Sequence, residues 1–373
     1  MFDKKLFKNF DTVTIIIVLI LVSIGIIAIS SATHVHETGD FGAVERQILW
    51  FIIGLVAMGA VISIDYSTYG NFSTYMYIFG LVLLIAVLIP GIGVVRNGAR
   101  SWFDLKISLL QPAEFVKIII IITFAKHIEK VKEEDSEDIN KTKNLFMLIM
   151  HMLLPILLIM RQPDWGTAGV FIGIMVVMLF VSGISYKYIV AAFSASAVVL
   201  PLLFFFVMKD YQRERLLVFW DPNRDPLGRG YHVIQSKIAI GSGQLYGKGL
   251  FHGTQTQLGY LPEQQTDFIF SVIGEELGFI WSSIVIVLFI ILLLRFLYLA
   301  TVAKESFGSY IIIGITAMMF FHLLINIGMT IGLAPVTGIP LPFISYGGSS
   351  LLTNMIAIGL VLNVGMRRQK INF

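Results

Sequence analysis

Long apolar runs broken by short polar segments set the rhythm of this chain. Runs at about 12–31, 47–64, 72–90, 112–129, 144–160, 166–183, 188–208, 277–300, 308–328 and 349–366 stand out. Each is close to the ~20 residues that a helix needs to cross a bilayer. The pattern predicts an all-α polytopic membrane protein with about ten transmembrane helices, forming one integral membrane domain over residues 1–373. Two polar stretches interrupt it at length: a long loop at about 209–267, between the seventh and eighth spans, and a mixed-charge linker at about 127–143.

Composition supports this reading. Of 373 residues, 56% are hydrophobic and 14% charged, and a soluble domain cannot hide that much apolar surface. Cysteine is absent, which excludes disulfides and thiolate metal sites. A net charge of +3 does not point to nucleic acid. The first run reads as a retained span, not a cleaved signal. Cations in short loops orient the chain. Lys4, Lys5 and Lys8, then Lys126, Lys130, Lys132, Lys141 and Lys143, then Arg367, Arg368 and Lys370 fall on one side of an even-numbered bundle. That side is expected to be the cytoplasm, with both termini inside at the plasma membrane. The 127–143 linker, also inside, lacks aromatics and reads as solvated.

Gly and Pro punctuation gathers on the opposite face, in "GIGVVRNGARSW", "RQPDWGTAG", "DPNRDPLGRGY", "GSGQLYGKG" and "APVTGIPLPFISYGGSS". Irregular polar loops converging on one face suggest a site. Its candidate acids lie in "LPEQQTDFIFSVIGEELGF": Glu263, Asp267, Glu275 and Glu276. Locally Asp267 reads as a helix N-cap. Glu275 and Glu276 lie about 12 Å further along a straight helix, too far for a close dyad, and Glu276 reads as a helix-end surface charge. Glu263 either faces solvent or faces Asp267. Glu114 and Lys117, three apart in "LQPAEFVK", sit where a span begins; they read either as a structural ion pair or as a ligand contact. Asp164 in "RQPDWGTAG" reads as an N-cap. "SWFDLKISLL" alternates apolar and polar positions and reads as an amphipathic piece at the membrane interface. The outer cations Arg96, Arg100, Lys106, Arg213, Arg215, Arg224, Arg229, Lys237 and Lys248, with glycines between Gly228 and Gly253, suit an anionic, phosphate-bearing ligand. Ser345, in "PFISYGGSS", is a further site-supporting candidate.

The blocks "NGARSWFDL…LQPAEFVK", "RQPDWGTA", "FWDPNRDPLGRGYHVIQSKIAIGSG", "LGYLPEQQTDFIFSVIGEELGF" and "PVTGIPLPFISYGGSS" run in order over nearly the whole chain. They resemble the signature blocks of the SEDS family (shape, elongation, division and sporulation). The likeness is greater to the elongation branch, RodA, than to the division branch, FtsW; a sporulation relative is the third alternative. The resemblance implies a peptidoglycan glycosyltransferase that polymerises lipid II at the outer leaflet and works with a class B penicillin-binding protein. It implies that Asp267 is the catalytic acid–base residue, and it maps the family's Glu and Lys onto Glu114 and Lys117.

The chemistry so implied is attack by a sugar hydroxyl on a lipid-linked anomeric carbon, with inversion. One carboxylate serves as base. The pyrophosphate leaving group needs no acid, in contrast to glycosidases with two carboxyls, but it needs cationic compensation. The outer Arg/Lys set and a divalent cation such as Mg2+ are the two sources considered; no other cofactor is called for. A flippase of lipid-linked precursor is the alternative function, and it would need polar groups facing inward as well. A non-catalytic scaffold would leave the outer acids and cations unexplained.

Overall fold

The computed structural model describes residues 9–34, 41–96, 98–104, 109–134, 139–208, 210–226 and 228–368. Lys4, Lys5, Lys8, Lys106 and Lys370, named above for their charge, lie outside the described residues.

The helices follow the apolar runs. In chain order they are α1 (Thr12–Thr33), α2 (Gly42–Ser63), α3 (Tyr66–Asn71), α4 (Ser73–Ala86), α5 (Pro112–Glu134), α6 (Thr142–Arg161), α7 (Trp165–Val181) and α8 (Tyr186–Leu202). Then come α9 (Asp210–Trp220), α10 (Arg229–Ser242), α11 (Thr254–Gln257), α12 (Ile269–Glu276), α13 (Gly278–Thr301), α14 (Ser306–Thr330) and α15 (Gly348–Met366). Among the described residues, seven helices are long and apolar enough to cross a membrane; α4 and α7 are shorter apolar helices. The multi-pass membrane character rests on these. α14 and α15 form the centre. α14 packs against α5, α7, α13 and α15, and α15 also packs along α2. α8 has no buried residue among those described.

Local chemistry places the ends. Pro112 opens α5, where its missing N–H costs nothing. Asp164 caps α7 by accepting from the Thr167 N–H at 3.0 Å. The break between α12 and α13 is made by Gly278, whose φ of +77° favours glycine. A Cβ there would come within 2.3 Å of the Gly247 nitrogen. Segment 244–249 threads this break. Lys248 and Gly249 N–H groups donate to the Glu275 and Glu276 carbonyls, while Phe279 and Ile280 N–H groups donate to Gln244 and Leu245. The orphan backbone groups of both helix ends are thereby satisfied.

Two stretches carry regular structure that the pattern did not predict. Around "SWFDLKISLL", β1 (Gly93–Arg96), β2 (Ala99–Asp104) and β3 (Leu109–Leu110) form an antiparallel sheet, in order β1-β2-β3; residues 105–108 lie outside the described residues. Pairing Arg96 with Ala99 closes the hairpin. The 127–143 linker is helical as far as Glu134. Ile128 and Val131 are buried there, and Lys132 donates to the Tyr310 hydroxyl at 2.9 Å. Apolar contacts with α14 carry the helix past the end of the hydrophobic run.

Candidate active site

Residues 263–268 wind into one tight turn. The N–H groups of Thr266, Asp267 and Phe268 all point to the Glu263 carbonyl, at 3.2, 3.1 and 3.3 Å. Helix α12 starts only at Ile269, with Phe268 as its cap residue. Asp267 therefore does not cap the helix, against the local reading; the turn's own hydrogen bonds displace it one position too early.

Neighbouring elements hold the turn by its backbone. Asn326 on α14 donates through Nδ2 to the Asp267 carbonyl at 3.0 Å and to the Ile339 carbonyl at 2.8 Å. Ser345 Oγ donates to the Thr266 carbonyl at 2.6 Å and accepts from the Leu341 N–H at 2.8 Å. The Tyr346 N–H donates to the Gln265 carbonyl at 2.9 Å. Gln264 Nε2 reaches back to the Ala32 carbonyl at 2.6 Å. These bonds leave the Asp267 side chain as the unclamped part of a rigid turn. Gly338, at φ +74°, lines one side; a Cβ there would lie 3.3 Å from Asp267 Oδ2.

Asp267 is half-buried and forms no ion pair among the described residues. Burial, and next the negative charge of Glu263, push its carboxyl up to about 7, while the Thr266 hydroxyl works the other way. That hydroxyl also lies 3.2 Å from the Glu263 carbonyl and 3.4 Å from Glu263 Oε2. One hydroxyl proton cannot serve all three acceptors at once. Glu263 is itself exposed, and its charge acts on Asp267.

A second polar group lies deeper. Lys117 Nζ sits 2.8 Å from Glu114 Oε1 and 2.7 Å from His322 Nε2. All three side chains are buried, and Glu114 Oε2 has no hydrogen-bond partner. Asp164, beyond its cap bond, accepts from Gln111 Nε2 at 2.9 Å and from the Thr167 hydroxyl at 2.9 Å. Burial raises its carboxyl; the Thr167 bonds oppose this, and the fields of Glu114 and Lys117 reach it with opposite signs. The 337–341 loop spans from this group to Asp267. Thr337 packs on Gly166, two residues from Asp164, and Gly338 lines Asp267.

The other sequence candidates lie elsewhere. Glu275 is fully buried and accepts from Lys248 Nζ at 2.7 Å, the Gln255 N–H at 2.9 Å, the Thr256 N–H at 3.0 Å and the Thr256 hydroxyl at 2.9 Å. It is a clamp for the 248–257 segment and takes Lys248 out of the free cation set. Glu276 is not a surface charge, because it too is buried, accepting from Ser31 Oγ at 2.7 Å and from Gly253 N and Gln257 Nε2 at 3.3 Å. Folding segment 248–257 over the helix end encloses both acids. Lys237, on α10, is exposed and lies against Gly332. Arg100 is half-buried on β2, with Nη1 3.4 Å from the Leu88 carbonyl. Arg215 is on α9, and its side chain lies outside the described residues. Sequence reasoning missed Asn326, His322 and Gln111. The first two carry a usable signal, as polar residues inside the apolar run "FFHLLINIGM".

A protein-family model described as "Cell cycle protein", for FtsW, RodA and SpoVE, matches residues 11–370. The chain belongs to this family. It is 41% identical over 333 residues to the peptidoglycan glycosyltransferase MrdB of Escherichia coli strain K12, covering 89% of this chain and 88% of that protein. Among solved structures, it is similar to a chain of a peptidoglycan synthase complex that coordinates polymerization and crosslinking, with TM-score 0.82, 28% identity, and 97% and 99% coverage. It is also similar to the rod shape determining protein RodA of Thermus thermophilus, with TM-score 0.72, 25% identity, and 97% and 98% coverage. The matched span, residues 11–370, contains all five motif blocks.

Proposed function

We propose that this chain is a peptidoglycan glycosyltransferase that polymerises lipid II at the outer leaflet of the bacterial plasma membrane, with Asp267 as general base. The observation that carries the assignment of the base is the Asp267 carboxylate itself. It stands on a turn whose backbone is bonded on three sides, it has no ion-pair partner among the described residues, and its carboxyl is pushed up to about 7. A base with a pKa near the working pH combines a usable ionised fraction with strong proton affinity.

In this reading the ionised Asp267 takes the proton of the acceptor's 4-hydroxyl as its oxygen attacks the anomeric carbon of a lipid-linked sugar. The bond to the pyrophosphate breaks, and the lipid pyrophosphate leaves with its electron pair. Direct attack inverts the anomeric centre. The exposed Lys237 and the cations of the 209–267 segment other than the Glu275-paired Lys248 compensate the leaving charge. The described residues bring no three Asp, Glu or His side chains together as a metal cluster. A divalent cation such as Mg2+ would therefore rest mainly on the ligand's own oxygens, and no step is assigned to it. The face bearing Asp267 lies outside and both termini inside. A class B penicillin-binding protein cross-links the strands made here.

The experiment is polymerisation of purified lipid II by the purified chain. Asp267→Asn keeps the shape of the turn and removes the base, so turnover should fall by about 10²–10⁴-fold at unchanged thermal stability. Near-normal polymerisation by this variant would remove Asp267 from catalysis. Movement of lipid II across vesicles without any polymer would favour a flippase.

A further inference from the structure

His322 has no part in the mechanism above, yet it occupies the middle of the protein. It lies on α14, 1% exposed, four residues before Asn326, so the two share a helix face. Asn326 is the residue that grips the carbonyls of Asp267 and Ile339. One turn away, His322 Nε2 lies 2.7 Å from Lys117 Nζ.

An ammonium has protons to give and no lone pair to accept with. Nε2 therefore presents its lone pair, and the ring is neutral with its proton on Nδ1. Protonation at Nε2 would set two like charges 2.7 Å apart in a buried site. Nδ1 is buried and has no hydrogen-bond partner among the described residues. Pro340 lies between two anchored residues: Asn326 holds the Ile339 carbonyl, and Ser345 holds the Leu341 N–H. The same loop presents Gly338 to Asp267 Oδ2.

We infer that His322 is a positioning residue for Asp267: it holds the buried Lys117 one helix turn from Asn326, whose amide grips the carbonyls of Asp267 and Ile339 beside the catalytic carboxylate. This rests on the reading of Asp267 as the base. The lone pair at Nε2 holds the Lys117 ammonium between two acceptors. The turn of α14 fixed by this contact carries Asn326, which holds the Asp267 and Ile339 carbonyls in place. An apolar side chain of similar size would fill the space but leave Lys117 with Glu114 alone. Displacements of about 1 Å at a reacting group can cost up to 10²-fold in rate, so a modest relaxation of this turn is enough to be seen.

The test compares His322→Phe and His322→Gln in the purified full-length chain, with lipid II as substrate and turnover expressed per folded molecule. Phe fills the space without an acceptor. Gln offers an oxygen to Lys117 in place of the ring nitrogen. The expected result is a fall in kcat of about ten- to a hundredfold for Phe with KM for lipid II unchanged, and recovery of most of kcat in Gln. If the Phe variant does not fold, His322→Met takes its place as the flexible apolar filler. Normal kcat in the apolar variant would overturn the inference. Equal loss in the apolar and Gln variants would also overturn it, since space-filling by the ring would then be the whole role. Asp267→Asn, assayed alongside, separates the two failures. An active Asn variant sinks the base reading itself, whereas an inactive Asn variant beside a fully active Phe variant sinks only the role of His322.

Discussion

Asp267 and Glu263 sit four residues apart on one turn, and the charge of the second acts on the first. Burial and then Glu263 raise the Asp267 carboxyl to about 7. A base works in its ionised form, so polymerisation should decline as pH falls through about 7 and Asp267 takes up a proton. Glu263→Gln removes the opposing negative charge while leaving the exposed position otherwise filled. Asp267 then becomes the stronger acid, and the acid limb of kcat should move to lower pH. A kcat profile that is superimposable in the two proteins would show that the limb belongs to another group. The deeper pair makes a separate prediction at this scale. Glu114 and Lys117 are both buried, so Lys117→Met strands a carboxylate and should cost about 3–5 kcal/mol. Adding Glu114→Gln should return most of that stability, measured by thermal unfolding in detergent. A stable Lys117→Met chain without activity would assign the pair to the ligand.

At the scale of elements, the 248–257 segment is held by buried acids at the end of α12, not by an apolar core. Burial alone would raise the Glu275 carboxyl, but the Lys248 ammonium and the N–H groups of Gln255 and Thr256 outweigh it and hold it below the usual range. A carboxylate lowered on folding stabilises the fold above its unfolded pKa of about 4.3. That contribution is lost as pH falls through the lower folded value. Glu275→Gln breaks the ion pair and mismatches several donors, at a cost of about 3–5 kcal/mol. Limited proteolysis should then cut within 248–257 in the variant before the rest of the chain opens. Equal resistance of variant and parent would show that the glycine contacts around Gly247 and Gly278 suffice to hold the segment.

At the scale of the molecule, α10 and α11, in the segment that leads to Asp267, both pack against α12, and α10 also against α14. A partner that prefers one arrangement of that stretch changes the active population, and contact without preference does nothing. A preference of about 1.4–2.7 kcal/mol corresponds to tenfold to a hundredfold. Turnover per molecule at saturating lipid II should therefore rise when the class B penicillin-binding protein is bound, even with its transpeptidase serine removed. Equal turnover with and without the partner would leave it only a cross-linking neighbour. The apolar runs by themselves determined where the main helices lie, because a membrane-length stretch has few ways to satisfy its backbone. The motif blocks determined the family and singled out Asp267. The tertiary structure alone decided that Asp267 does not cap α12, that Glu275 and Glu276 are enclosed clamps, and that Ser345 and Asn326 converge on one turn while His322 meets Lys117. The reason is the same in each case: a hydrogen-bond partner dozens or hundreds of residues away, such as Ala32 for Gln264 or Lys117 for His322, leaves no period or spacing along the chain for a sequence to display.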